Sequence, residues 1–174
     1  ADLGGQCTFE PVSGWHLETM LAGFGSLPED LIAFVQNSQQ SIKAMNISAS
    51  EMAGLEASME LSHAMGRFVT YYTFMHAEDT SGIVCRDGLR PPGIPKHQFD
   101  ILVSLGPQWM RGGWELSLSS QRFLDQANLR PTPATALHSI YLNATWERAG
   151  LSIKTRIDNL GNIKYQTLEV PGAA

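Results

Sequence analysis

SASEMAGLEASMELSHAMGRFVTYYTFMHAED, residues 48–79, is the stretch whose reading decides the fold. Leu61, Met65, Phe68, Tyr72 and Met75 recur in alternating steps of four and three. That spacing places five large side chains on one face of an α-helix. Ser48-Ala49-Ser50-Glu51 has the form of a capping box that opens such a helix. Gly54 and Gly66 oppose it, at about 1 kcal/mol each relative to alanine. The stretch therefore predicts a long helix to about Ala77. Its Met-rich stripe suits burial against a sheet, or an adaptable partner-binding surface.

Upstream, Ser13 can cap a short helix carrying Leu17, Met20, Leu21 and Phe24, closed by Gly23 and Gly25. Ser26-Leu27-Pro28-Glu29 repeats the capping-box form before Leu31, Phe34, Val35, Ile42 and Met45. Residues 13–78 thus read as a helical half. Downstream, Gly82, Gly88, Pro91, Pro92, Gly93 and Pro95 mark a surface connector. The period then changes to two: Phe99, Ile101, Val103 and Leu105; Trp114, Leu116 and Leu118; Ile140, Leu142, Ala144 and Trp146; Leu151, Ile153 and Ile157; Ile163, Tyr165 and Thr167. Glu115 falls between the apolar positions of its run, and Lys154, Arg156 and Asp158 between those of theirs. Residues 147–150 and 158–161 each place a glycine where a bulged hairpin needs positive φ. The predicted fold class is α+β: one domain over residues 1–174, with N-terminal helices packed on a C-terminal antiparallel meander of about five strands (97–170).

The 174 residues are 43% hydrophobic, enough for a core, and 17% charged, below the roughly 25% usual in soluble domains. A net charge of −5 with no basic run gives no electrostatic footprint for nucleic acid. No apolar run approaches the ~18–20 residues of a membrane-spanning helix. The start Ala1-Asp2-Leu3 resembles a signal-peptidase product, which predicts an extracellular or periplasmic protein. There, Cys7 and Cys85 are expected to form a disulfide.

No nucleotide, serine-hydrolase or zinc-protease motif occurs, and no cofactor or metal is expected. Glu56, Glu60, His63 and Arg67 line a polar stripe under helical spacing; Glu60 and His63 have an E-x-x-H step, but a solvated charged face fits as well. His76, Asp100 and His138 are the catalytic candidates, with Asp79 as an orienting acid for His76; His97 beside Asp100 is a further pair. Trp109, Met110, Arg111 and Trp114, bracketed by Gly-Pro and Gly-Gly, form the candidate partner-binding loop. The leading expectation is an exported, non-enzymatic interaction protein, effector-like or a subunit of an extracytoplasmic assembly, that binds a protein or other macromolecule. The alternative is a small hydrolase- or isomerase-like enzyme, or an apolar-ligand carrier, with a pocket between the long helix and the sheet that uses Tyr72.

Overall fold

The computed structural model describes residues 1–27, 29–36 and 42–165; for residues 29–36 and 42–48 only the backbone course is described. It overturns the α+β expectation. Among the described residues there is no α-helix, and nine of the eleven strands form one antiparallel sheet. Its strands are β1 (Asp2–Phe9), β2 (His16–Ser26), β3 (Glu29–Gln36), β4 (Ile42–His63), β5 (Gly66–Asp79), β6 (His97–Leu105), β7 (Met110–Ser119), β10 (Thr135–Trp146) and β11 (Leu151–Ile157). A two-stranded ribbon, β8 (Arg122–Phe123) with β9 (Pro131–Thr132), lies within the connection from β7 to β10. The sheet order is β1-β2-β4-β5-β6-β7-β10-β11, and β3 pairs with the start of β4.

The misread stretch is a hairpin. β4 and β5 pair from Ser50↔Asp79 to His63↔Gly66, turning at residues 64–65. In that register Leu61 lies directly opposite Phe68. Seven residues separate them, which is also two turns of a helix, so cross-strand partners imitate a helical stripe. Period two is present in the same residues. Ala53, Leu55, Ala57, Met59 and Leu61 alternate with Met52, Gly54, Glu56, Ser58, Glu60 and Ser62. Phe68 to Phe74 is an unbroken run of aromatic and β-branched residues, which favours a strand and disfavours a helix. Ser48–Glu51 lies inside β4, and Pro28 of the upstream box lies outside the described residues.

The strand-rich half follows its alternation. Gly150 takes the left-handed conformation (φ 62°) in the turn between β10 and β11, and its N–H donates to Glu147 O. In the next turn Asn159 and Asn162 hold positive φ, not Gly161. Residues 162–165 are not a strand, and Thr167 lies outside the described residues.

The disulfide expectation also fails. Both cysteines are free and exposed. Cys7 pairs with Thr19 towards the 10–15 turn, whereas Cys85 sits in the 80–96 connection beyond the opposite ends of the strands.

Two glycines let aromatic rings lie flat across the sheet. Gly113 faces Tyr141 and Gly54 faces Phe24. A Cβ at either would run into the partner ring. Gly113→Val is expected to cost about 1–3 kcal/mol by overpacking, read as a lowered unfolding midpoint; Gly112→Val, with ordinary contact distances to Tyr141 and Leu142, is expected to cost less.

Candidate functional site

Successive side chains of a strand point to opposite faces, so the registers assign every residue of the continuous sheet to one of two surfaces. One carries Leu3, Cys7 and Phe9 of β1; Leu17 and Leu21 of β2; and Leu55, Met59 and Leu61 of β4. Phe68, Tyr72 and Phe74 of β5 meet Val103, Ile101, Phe99 and His97 of β6 on it. Trp114, Leu116 and Leu118 of β7, Ile140, Leu142 and Trp146 of β10, and Leu151, Ile153 and Ile157 of β11 complete it.

The other surface is polar. It holds Asp2 and Gln6; Glu18; Glu56, Ser58 and Glu60; Arg67, Tyr71 and Thr73; Gln98 and Asp100; Arg111, Glu115 and Ser117; Ser139, Tyr141 and Asn143; Lys154 and Arg156. From residue 50 to 63 of β4 and through the other strands of the path, every Asp, Glu, Lys and Arg lies on this surface except Glu51 and Glu78. Those two are directly opposite each other, and they mark where the apolar surface ends.

Among the described residues nothing covers the apolar surface. Leu21 is 61% exposed, Leu55 51% and Ile157 54%, while buried hydrophobic residues are limited to Val69, Ala77 and Ala144 among those described. The total accessible surface is 11595 Å². A compact monomer of 19.1 kDa exposes about 8,400 Å². The excess is too large for scattered surface side chains. The free margins of β1 and β11 are likewise unpaired among the described residues.

The geometry of the apolar surface is banded. On β5 it runs from Gly66 to His76, about 34 Å along the strand at about 3.4 Å per residue, which a strand tilt near 40° would reduce to about 26 Å of height. Aromatic rings mark both limits. Tyr72, Phe74, His97 and Phe99 cluster at one, with Tyr72 Oη 2.8 Å from His97 Nδ1 and the Lys96 ammonium 5.7 Å from the Phe74 ring. Phe9, Trp15, Trp109 and Trp146 lie at or beside the other, where Trp15 stacks on His63. The connections are equally unequal. Those at the second limit are short (residues 10–15, 64–65, 106–109 and 147–150), whereas 80–96 and 120–134 are long and lie at the first. The two long connections are tied together. Asn128 Nδ2 donates to Arg90 O, Arg90 N donates to Asn128 Oδ1, and Arg86 donates to Gln126.

On the polar surface, ion pairs cross the strands. Arg156 forks onto Glu115 at 2.9 and 2.5 Å and donates to Asp158 at 2.7 Å. Arg67 forks onto Glu60 at 2.7 and 2.6 Å. The Glu60–Arg67 and Glu115–Arg156 pairs are partly exposed, so each contributes no more than about 1 kcal/mol. Beside the first pair is a hollow of about 600 Å³, lined by Tyr71, Asp100, Glu115, Arg156, Asp158 and Tyr165. Its wall is mixed: carboxylates and hydroxyls surround one guanidinium, and Ile101, Leu102, Leu116 and Leu137 supply apolar surface.

The sequence candidates distribute over both surfaces. His76 and His138 lie on the apolar one and Asp100 on the polar one, so the structure does not bring the three together. His76 contacts Glu78 (3.2 Å), and His138 stacks on Trp114. His97 and Asp100 also face opposite ways. Trp109 is in a turn and 52% exposed, Met110 and Trp114 are on the apolar surface, and Arg111 on the polar one donates to Ala64 O. Glu60 and Arg67 do meet, as cross-strand neighbours rather than on a helical stripe. Sequence reasoning missed the Glu115–Arg156–Asp158 group, although the alternation around Glu115 and Arg156 was its signal. A pocket against a long helix has no such helix among the described residues to form its wall.

No protein-family profile matches the chain, and no curated protein matches it. Solved structures do. The ferric preacinetobactin receptor BauA of Acinetobacter baumannii superposes with TM-score 0.67 at 15% identity, over 94% of this chain and 25% of that one. The siderophore receptor PiuA of the same organism gives 0.68 at 15%, over 94% and 24%. The copper transporter OprC gives 0.68 at 13%, over 95% and 26%. Two of these neighbours are thus receptors, one for ferric preacinetobactin and one for a siderophore, and the third is a copper transporter. The chain spans about a quarter of the length of each, and its fold is that of the corresponding quarter of their strands.

Proposed function

We propose that this chain is a section of the wall of an outer-membrane β-barrel that takes up a small, metal-containing cargo. The apolar band faces lipid and the polar surface faces the lumen. The observation that carries this reading is the sorting of charge: two-sided strands with an uncovered, charge-free band of bilayer height. Lipid supplies the cover that the chain lacks. The short connections then lie on the periplasmic side and the long ones outside. In a barrel of this kind the free margins of β1 and β11 are paired by further strands, since an open edge in hydrocarbon leaves backbone groups unsatisfied. The cargo class rests on the likeness to two siderophore receptors and a copper transporter. The external partner and the envelope location expected from sequence are kept in this reading, with a membrane in place of a soluble domain.

The test is depth-dependent quenching. In vesicles of lipids brominated along the acyl chain, Trp114, kept as the sole tryptophan, is expected to be quenched most by bromines near the bilayer centre. Equal quenching by an aqueous quencher such as iodide contradicts the reading.

A further inference from the structure

At the short-turn limit of the band, a groove is lined by Gln108, Trp109, Thr145, Trp146, Glu147 and Arg148. Three features single it out. Trp109 and Trp146 stay 52% and 42% exposed, so two indole faces are open. The turn that carries them is held in place: Thr145 N donates to Trp109 O at 2.8 Å, and Gly150 N closes the 147–149 turn onto Glu147 O. Glu147 and Arg148 are adjacent, and among the described residues neither side chain has an ion-pair or hydrogen-bond partner, not even each other. Elsewhere on the sheet, Glu60–Arg67 and Glu115–Arg156 satisfy one another. A guanidinium and a carboxylate left open in one groove with two indoles have the chemistry to take a zwitterion.

We propose that this groove binds the headgroup of a phosphatidylethanolamine-type lipid. The inference rests on the band facing lipid. Arg148 takes the phosphate, for which its planar fork is suited. Glu147 accepts hydrogen bonds from the primary ammonium, and an indole face stabilises the same cation. The acyl chains continue along the band beside Trp146 and Leu151. A choline headgroup offers the cation without N–H donors, and a glycerol headgroup offers no cation, which sets the order of preference.

The experiment is native mass spectrometry of the detergent-solubilised protein titrated with phosphatidylethanolamine, phosphatidylcholine or phosphatidylglycerol. Occupancy is expected to fall in that order. Arg148→Ala is expected to weaken phosphatidylethanolamine binding about tenfold or more, the scale of one charge-assisted hydrogen bond. Glu147→Gln is expected to abolish the preference over phosphatidylglycerol and leave total lipid binding in place. Arg148→Gln serves if the alanine variant does not fold. Equal or stronger phosphatidylglycerol binding overturns the proposal. So does competition by free phosphoethanolamine at the same concentration as the lipid, which points to a soluble ligand. Trp114 quenching, run in parallel on the same protein, separates the two levels. Central quenching without headgroup preference sinks only the headgroup site, and its loss sinks both.

Discussion

Leu116→Arg is expected to weaken folding into a bilayer by about 2–4 kcal/mol, whereas Ser117→Arg, one residue along, changes it by well under that. The two positions differ by the pleat alone. Leu116 lies on the apolar surface between Ile101 and His138, and Ser117 lies on the polar one between Asp100 and Leu137. An arginine at 116 in the middle of the band exchanges an apolar isobutyl group for a charge that, on a surface facing lipid, must snorkel or carry water with it. An arginine at 117 joins a surface that already carries Arg111 and Arg156, with Asp100 directly across from it. Equilibrium refolding from urea into lipid vesicles, read by tryptophan fluorescence, gives both numbers. In a water-soluble protein the same pair reverses or vanishes, because an exposed leucine tolerates arginine.

Withdrawing lipid and detergent is expected to have a still larger effect: loss of the sheet altogether. Only Val69, Ala77 and Ala144 are buried hydrophobic residues among those described. A core that small cannot offset backbone ordering at about 1–2 kcal/mol per residue. In aqueous buffer the chain is expected to aggregate or lose its cooperative unfolding transition. In micelles or vesicles, with the margins of β1 and β11 paired within the complete barrel, it regains strand circular dichroism and resistance to protease. A sharp, reversible thermal transition in buffer alone contradicts this expectation, because the chain then carries its own core.

How legible was this in the sequence? The second half was open to reading, because its strands are separated by glycine and proline and alternate between Phe99 and Ile157, with Leu102, Leu137 and His138 as exceptions. The first half was not, for a reason that lies in hairpin geometry. A two-residue turn at 64–65 puts cross-strand partners seven apart around Leu61 and Phe68, and that distance is shared with a helix. The run Phe68–Phe74 carried the corrective signal, since seven consecutive aromatic and β-branched residues resist a helix. Composition misled in another way. Strands with one apolar and one polar face alternate residue by residue, so hydropathy averages out, and a search for long apolar runs finds none; no helix among the described residues is long and apolar enough to cross a membrane, which says nothing of strands.

The candidate residues were legible singly and not as a group. Trp109, Met110, Arg111 and Trp114 were chosen as one adhesive loop, but β7 begins at Met110 and the pleat then divides them between two surfaces. Arg156 was placed opposite Ile153 and Ile157, as the structure has it, yet its pairing with Glu115 depends on β10 lying between β7 and β11. That is a matter of sheet order, and spacing along the chain does not encode it.

Cysteine substitutions along one strand provide the most direct measurement. In a background lacking Cys7 and Cys85, single cysteines at 114 to 119 of the vesicle-embedded protein are treated with a charged maleimide delivered to both sides of the membrane. Positions 115, 117 and 119 are expected to react, and 114, 116 and 118 to be shielded until the vesicles are dissolved in denaturant. Uniform reaction along the strand, or shielding of the odd positions, means that β7 does not divide lipid from water.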